Sequence, residues 1–292
     1  MQKILSVTIL AFCTAALLSS SYIQPAPQLL TPDCYESCFT GDIMNQFKAE
    51  AGTAAFAAMH EAPIDFTFAN PNGESVSFDT KDGKKAAGYF IKSSQKTKNW
   101  LFVIQEWWGL NDHIKREAEI LAKELGNVNV LAIDMYDGKI AATPDSAMKL
   151  MKGASTERLE NIVNGAIHFS GSDAKIFTIG WCFGGMWSLQ TSLMAGKQAA
   201  GCVMYYGRPE NNIEKLKLLN CEVIGFFGNK DKSPSPEIVN QFEADMISAG
   251  KKITTHKYEA GHGFANPSNP SFNKEATEDA HQKTVAFLKS KM

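Results

Sequence analysis

The 292-residue sequence has no excess of charge of one sign, because 29 lysines and arginines stand against 31 aspartates and glutamates. The net charge of −2 and the absence of a basic cluster argue against nucleic acid as a partner. The sequence contains no evident internal repeat or low-complexity tract, so it gives no sign of a repeat architecture. A hydrophobic fraction of 44% is enough for one sizeable core.

Long apolar runs are scarce, and the one that stands out lies near the amino terminus. Lys3 precedes the apolar run 4–18, and three serines follow it. The run is too short for a comfortable membrane span and predicts a signal peptide over residues 1–21. We therefore expect an exported protein, periplasmic or secreted, with no membrane association after cleavage. An uncleaved membrane anchor is the alternative.

Cysteine is also infrequent, with six in the chain. Cys34 and Cys38 are close enough in sequence to pair in an oxidising compartment, and a metal pair is the alternative. Cys202 and Cys221 lie in predicted core strands and are interpreted as inert small hydrophobic residues. Cys182 remains as the candidate reactive thiol.

The segment 180–184 (Gly-Trp-Cys-Phe-Gly) has the spacing of a nucleophile elbow, with cysteine where serine usually stands. It follows the apolar run 175–179, which is typical of a buried strand, and precedes the predicted helix 186–194. Glycines two residues before and after Cys182 suit a turn too sharp for side chains. The start of a helix also favours a thiolate. The alternative is a glycine-rich loop carrying a structural cysteine.

Two further residues complete a candidate triad. Asp231 follows the predicted strand 221–228, and His262 follows the predicted strand 252–258. The order nucleophile, aspartate, histidine is that of α/β hydrolases, whose sites lie at strand carboxyl ends. In this interpretation His262 accepts the thiol proton, Asp231 orients the imidazole and Cys182 attacks a carbonyl. The remaining histidines are interpreted as surface or structural residues: His60, His113, His168, His256 and His281.

The whole chain shows an organisation in three parts. Residues 22–62 are predicted to be a linker followed by a helical extension over 41–60, and residues 63–292 an α/β-hydrolase domain. The domain begins with a predicted hairpin of Ile64–Phe68 and Ser75–Phe78. From about residue 86 onward strand patterns, and then alternating helix and strand patterns, predict a mostly parallel sheet with helices on both faces.

The sequence resembles the dienelactone hydrolase family in several separated motifs over roughly residues 64–290. The motifs are the Cys182 elbow, the Gly-x-x-Asp ending at Asp231, the Ala-Gly-His-Gly-Phe around His262, the Gln-Glu-Trp-Trp-Gly-Leu-Asn at 105–111 and the Tyr-Tyr-Gly at 205–207. The resemblance implies an α/β-hydrolase fold, a small-molecule ester or lactone as substrate, and no metal or organic cofactor.

The resemblance also assigns roles beside the triad. Glu106 ends a predicted strand, where a solvated glutamate would otherwise be expected. In the family, the glutamate at this position contacts the nucleophilic thiol at rest and yields it to the histidine when substrate arrives. Glu106 is therefore predicted to be a site residue. The backbone N–H groups of Trp107 and Phe183 are the predicted oxyanion donors.

Arginine is the scarcest charged residue, with three in the chain. Family members that act on dienelactone hold its carboxylate with arginines, one of them four residues after the catalytic histidine, where this chain has Asn266. Arg208 is predicted to reach the pocket, Arg158 is a second candidate, and Arg116 is expected to be solvated. Loss of a bidentate arginine clamp makes dienelactone itself an unexpected substrate.

Together these features predict a monomeric hydrolase that forms a thioester on Cys182, with His262 activating water for deacylation. The predicted substrate-binding residues are Trp108, Tyr205, Arg208 and Phe264. A peptide or thioester hydrolase using the same triad is one alternative. A non-catalytic ligand-binding protein of this fold is another, and a redox role for the cysteine is a third.

Overall fold

The computed structural model describes residues 41–69 and 71–292. The predictions of a signal peptide, a linker and a pairing of Cys34 with Cys38 lie outside the described residues. Within those ranges, no helix combines the length and apolar character needed to cross a membrane.

An eight-stranded sheet forms the centre of the molecule, in the order β1-β2-β4-β3-β5-β6-β7-β8. Pairing is antiparallel between β1 and β2 and between β2 and β4, and parallel between all other neighbours. This topology confirms the predicted mostly parallel sheet. The strands are Glu74–Asp79 (β1), Lys85–Ile91 (β2), Asn99–Ile104 (β3), Asn129–Ile133 (β4), Lys175–Trp181 (β5), Ala199–Tyr205 (β6), Val223–Gly228 (β7) and Ile253–Tyr258 (β8).

Helices alternate with the strands and cover the sheet. Within the described residues they are Gly41–Ala51 (α1), Ala54–Ala57 (α2), Asp112–Leu125 (α3), Pro144–Gly153 (α4), Thr156–Ser170 (α5), Phe183–Met194 (α6), Ile213–Leu216 (α7), Pro236–Ser248 (α8) and Lys274–Lys291 (α9). Helices α3 and α9 contact each other and the sheet, and so do α5 and α6. The predicted α/β-hydrolase architecture is thereby confirmed.

The sequence explains why these elements form. Every residue of β7, and all but the first of β5, is buried, which suits continuous apolar runs in a sheet covered by helices on both faces. Helix α3 instead buries only one stripe, which includes Ile114, Ala118 and Leu121. Its amino terminus is capped by the Asn111 side chain, which accepts a hydrogen bond from the Ile114 N–H at 3.2 Å.

The predicted strand Ile64–Phe68 is wrong. The hairpin is formed instead by β1 and β2, with Glu74 opposite Phe90. Alternating apolar residues in 64–68 imitate a strand, but Ile64 is 60% exposed. Backbone groups of this segment bind side chains rather than a neighbouring strand, since the Ile64 N–H donates to Ser268 Oγ at 2.9 Å and the Phe68 N–H to Asp112 Oδ2 at 3.0 Å.

The predicted helical extension over 41–60 is helical in two parts. Helix α1 ends at Ala51, and Thr53 begins a new turn by accepting a hydrogen bond from the Phe56 N–H at 3.1 Å. Phe47 and Phe56 are buried in the main hydrophobic core, together with residues of the sheet. The extension is therefore packed onto the hydrolase domain.

Candidate active site

Cys182 occupies a sharp turn between β5, which ends at Trp181, and α6, which begins at Phe183. Its backbone angles are φ 54° and ψ −116°, a left-handed conformation that is costly for a residue with a side chain. The Cys182 N–H donates to the Tyr205 carbonyl at 3.0 Å, which ties the turn to β6. The thiol is thereby held at the carboxyl edge of the sheet and at the amino terminus of a helix.

Two glycines allow the turn to pack. A Cβ on Gly184 would lie 2.2 Å from the Ile104 carbonyl oxygen, so α6 starts in direct backbone contact with the end of β3. A Cβ on Gly180 would lie 2.2 Å from the Gly184 carbonyl oxygen. Both distances are far below any allowed contact, so the glycine spacing of the sequence motif has a steric cause.

Asp231 and His262 meet beside the thiol, as the chain order predicts. His262 Nδ1 lies 2.8 Å from Asp231 Oδ2, and both side chains are buried. The second carboxylate oxygen of Asp231 accepts the Ser233 N–H at 2.8 Å, which fixes its orientation. His262 Nε2 is buried without a hydrogen-bond partner among the described residues and lies within 4.8 Å of Cys182 Sγ.

The interpretation of His60 as a surface or ordinary structural residue is wrong. Its Nε2 lies 3.7 Å from Cys182 Sγ, and its Nδ1 lies 2.8 Å from the Phe56 carbonyl oxygen. Its ring lies 4.9 Å from that of His262 and 4.7 Å from that of Trp107, between centroids. Nothing in the sequence around His60 signals this contact, because the two residues are 122 positions apart.

The amino-terminal helices cover the nucleophile. Phe56 contacts the rings of Trp107 and His262, with centroids 5.2 Å and 5.9 Å apart, and Phe47 contacts Phe183 at 5.8 Å. Cys182 is only 1% exposed as a result of this surrounding shell. The extension is thus part of the wall of the site.

Glu50 of the same extension is bonded both to Arg208 and to the loop that carries Asp231. The guanidinium of Arg208 binds Glu50, and it also donates to Gln46 Oε1 at 3.0 Å. Glu50 in turn accepts a hydrogen bond from Ser233 Oγ at 2.6 Å. The substrate-binding role of Arg208 stays a prediction, since in this structure its charge is matched by the carboxylate of Glu50.

Arg158 does not reach the site, and that prediction is wrong. Its guanidinium binds Asp137 and Asp82, and it donates to the Lys85 carbonyl at 2.6 Å, within a network at the surface. Arg116 is exposed on α3, as expected, and its guanidinium lies 5.4 Å from the ring centroid of Phe66.

Glu106 lies just after β3 and is held by Asn266, whose Nδ2 donates to Glu106 Oε2 at 2.8 Å. Burial raises the pKa of Glu106 to about 7, although His262 and the Asn266 hydrogen bond favour the charged form. Asn266 stands where the family has a substrate-binding arginine. Here its side-chain amide positions the carboxyl group of Glu106. The hydrogen bond of the Cys182 thiol is with His60 rather than with Glu106.

The site shifts the pKa values of its own ionisable groups. Burial raises the pKa of the Cys182 thiol, while His262 opposes the shift, so the resting thiol is neutral. Burial disfavours a charged His262, but Asp231 and Cys182 outweigh it and raise the pKa of this histidine. Burial, with a further contribution from His262, lowers the pKa of His60 to about 3, so its ring is neutral.

A cavity of about 760 Å³ is lined by Glu106, while Cys182, Asp231 and His262 are not among its lining residues. Trp108 and Tyr205, two of the predicted substrate-binding residues, line it. Phe264 is fully buried and packs against Tyr206, with ring centroids 5.4 Å apart. Other lining residues include Glu106, Trp181, Tyr206, Asn266, Arg116 and His281.

This combination of features defines a class. A mostly parallel sheet, a nucleophile elbow after β5 and an aspartate and histidine after later strands are the arrangement of the α/β-hydrolase fold. A model of the dienelactone hydrolase family matches residues 86–292. The chain belongs to the dienelactone hydrolase family and is a hydrolase of that type.

Known proteins agree with this assignment. A carboxymethylenebutenolidase from a Pseudomonas species is 28% identical over 230 residues, covering 74% of this chain and 94% of its own. The protein usf from Aquifex pyrophilus is 31% identical over 241 residues, covering 74% and 98%. A dienelactone hydrolase-like promiscuous phosphotriesterase from metagenomic libraries superposes with a TM-score of 0.63 at 20% identity, covering 75% and 99%. That structural likeness supports the fold alone.

We expect Gly184→Ala to destabilise the protein by about 3 kcal/mol, because the new Cβ overlaps the Ile104 carbonyl oxygen. In an open helix position the same change normally stabilises by up to ~1 kcal/mol. Gly153→Ala, where nothing lies within 4 Å of the new Cβ, is the matched control. Urea unfolding measures both variants. Equal effects at the two positions would contradict the tight contact between α6 and β3.

Glu106→Gln should change the pH dependence of stability. The folded-state pKa of Glu106 lies above its unfolded value of 4.5, so wild-type stability falls as pH rises from 4.5 to about 7. The glutamine variant has no carboxyl group that titrates in this range. Its free energy of unfolding should therefore rise relative to that of wild type by about 3 kcal/mol between pH 4.5 and about pH 7. Urea midpoints at several pH values test this. If the difference in unfolding free energy between the variant and wild type is the same at pH 4 and at pH 8, the carboxyl group of Glu106 has an ordinary pKa.

Proposed function

We propose that this chain hydrolyses a small ester or lactone through a thioester on Cys182. The observation that carries the proposal is the thiol at a strained elbow beside a buried histidine, whose Nδ1 is 2.8 Å from Asp231 Oδ2. A strained backbone and a buried polar pair are costly, and such costs are typical of functional sites. This supports a catalytic role over passive ligand binding.

The chemistry follows from these positions. His262 Nε2 accepts the thiol proton as the sulfur of Cys182 attacks the substrate carbonyl. Backbone N–H groups of Trp107 and Phe183 stabilise the resulting oxyanion. The tetrahedral adduct collapses, the alcohol leaves with the proton from His262, and a thioester remains. His262 then takes a proton from water, which cleaves the thioester and releases the acid and the free thiol.

Glu106 contributes to keeping the resting thiol neutral in this proposal. A carboxylate near the sulfur raises the pKa of Cys182, in addition to the larger effect of burial. A neutral thiol oxidises slowly, which suits an enzyme that works outside the cytosol. Because the pKa of Glu106 is about 7, this residue changes charge near neutral pH and can itself take up a proton when substrate enters.

The cavity beside Glu106 supports a substrate with an aromatic or apolar portion, although charged side chains such as Arg116 and Glu117 also line it. Trp108, Trp181 and Tyr205 give it an aromatic wall, and Asn266 replaces the arginine expected for a carboxylate-bearing substrate. We therefore propose an aromatic or apolar ester or lactone rather than dienelactone. Peptide and thioester substrates for the same triad belong in the same activity panel.

Export and a monomeric state are part of the proposal. Lys3, the apolar run 4–18 and the serines after it support a signal peptide over residues 1–21. The mature protein is then periplasmic or secreted. The amino-terminal sequence of the protein recovered from a periplasmic or medium fraction tests this, and an intact Met1 there would contradict it.

The first activity prediction concerns the nucleophile. A panel of small aryl esters and lactones should be turned over by the mature protein, and Cys182→Ala should abolish that turnover because the attacking sulfur is gone. Cys221→Ala, which removes a free thiol away from the triad, is the matched control and should retain activity. Hydrolysis by the Cys182→Ala variant at the wild-type rate would disprove cysteine catalysis.

The second activity prediction concerns Asp231, whose carboxylate orients the ring of His262. Asp231→Asn should lower kcat roughly 10³- to 10⁴-fold, because an amide donor facing Nδ1 favours the tautomer of His262 that cannot accept a proton at Nε2. Asp245→Asn alters another buried aspartate, which is bonded by Gln241 in α8, and should leave kcat unchanged. Steady-state kinetics on the best ester of the panel measure both. A similar effect of the two changes would mean that Asp231 acts only through stability.

A further inference from the structure

Three potential metal ligands converge at the elbow. The Cys182 sulfur and the ligating nitrogens of His60 and His262 lie within 4.8 Å of one another, and all three side chains are buried. The distance from Cys182 Sγ to His60 Nε2 is 3.7 Å. Two ligands on one tetrahedral zinc ion, at usual Zn–S and Zn–N bond lengths, are separated by about 3.5 Å.

The far nitrogen of each histidine is already bonded. His262 Nδ1 is paired with the Asp231 carboxylate, and His60 Nδ1 with the Phe56 carbonyl, each at 2.8 Å. Metal-binding histidines nearly always have such a partner, because it fixes the tautomer and aims the other nitrogen at the ion. His262 Nε2 is buried without a hydrogen-bond partner among the residues that the structure describes. This open position can be filled by an ion as well as by the proton of the nearby thiol.

We propose that Cys182, His60 and His262 form a binding site for a thiophilic divalent cation, Zn²⁺ in the first instance. One thiolate and two imidazoles are a donor set that zinc prefers, and three protein ligands leave a fourth position for water. On binding, the thiol proton and any proton carried by His262 Nε2 are released to solvent. The ion's two positive charges are then balanced by the thiolate and by the Asp231 carboxylate behind His262.

Occupation of this site switches hydrolysis off. The sulfur that attacks the ester and the nitrogen that accepts its proton are both bonded to the ion. Because His60 belongs to the covering segment 41–60, the ion also cross-links that segment to the elbow and holds it closed. A ligand that binds only the folded, closed protein raises the stability of that state.

The test uses the full mature chain, dialysed against a chelator and then titrated with Zn²⁺ by calorimetry. Co²⁺ serves as a spectroscopic probe of thiolate ligation. We expect one equivalent of Zn²⁺ to bind and a thiolate-to-cobalt charge-transfer band to appear. Cys182→Ser should remove the band, and His60→Gln should weaken Zn²⁺ binding at least about tenfold. Zinc should also protect Cys182 from alkylation.

Two controls separate this site from the protein surface. His168→Gln changes an exposed histidine at the end of α5 and should bind Zn²⁺ like wild type. His281→Gln removes a histidine paired with Glu124 at 2.7 Å, the kind of surface site that collects zinc without specificity. Loss of binding in His281→Gln with retention in His60→Gln would overturn the proposal, as would the absence of any bound equivalent.

The outcomes for the metal and for hydrolysis are separable. An inactive protein that still binds Zn²⁺ through the three ligands would support the metal site and sink the proposed hydrolysis. An active protein whose ester turnover is unaffected by Zn²⁺ would support the proposed hydrolysis and contradict the metal site. Cys182→Ser replaces a single sulfur atom by oxygen, so we expect this variant to fold. It therefore tests the metal site even if His60→Gln is unstable.

Discussion

The backbone contact between the start of α6 and the end of β3 is the constraint on which the site depends. Gly184 can approach the Ile104 carbonyl only because it lacks a Cβ, and Cys182, two residues earlier, has a positive φ in the same turn. The turn places the thiol near His262, with the sulfur and a ring nitrogen within 4.8 Å of each other. A side chain at Gly184 would move the nucleophile as well as weaken the fold.

A second set of contacts comes from a segment that lies outside residues 86–292, the part that the family model matches. Phe56 and His60 pack onto Trp107 and His262, while Glu50 joins Arg208 to the loop of Asp231. The thiol is 1% exposed beneath them. Because the thiol does not line the cavity beside Glu106 either, access of a substrate to the sulfur requires movement of the surrounding side chains. The same packing places the additional histidine His60 3.7 Å from the sulfur of the nucleophile, which is the basis of the proposed metal site.

Much of this arrangement could be predicted from the sequence, because the relevant signals are local. Apolar runs in β5 and β7, the glycine spacing around Cys182 and the strand-end positions of Asp231 and His262 each depend on short segments. His60 could not be predicted, because its position depends on how α2 packs onto distant elements. The strand predicted at 64–68 failed for a related reason: alternation of apolar residues does not specify a neighbouring strand to pair with.

The central claim is that the sulfur of Cys182 becomes covalently acylated during turnover. Intact-protein mass spectrometry after rapid acid quenching, with a slowly hydrolysed aryl ester, measures this most directly. The mechanism predicts a mass increase equal to the acyl group, located on the peptide that contains Cys182 and absent from Cys182→Ala. Turnover without any adduct, or an adduct on another residue, would contradict it.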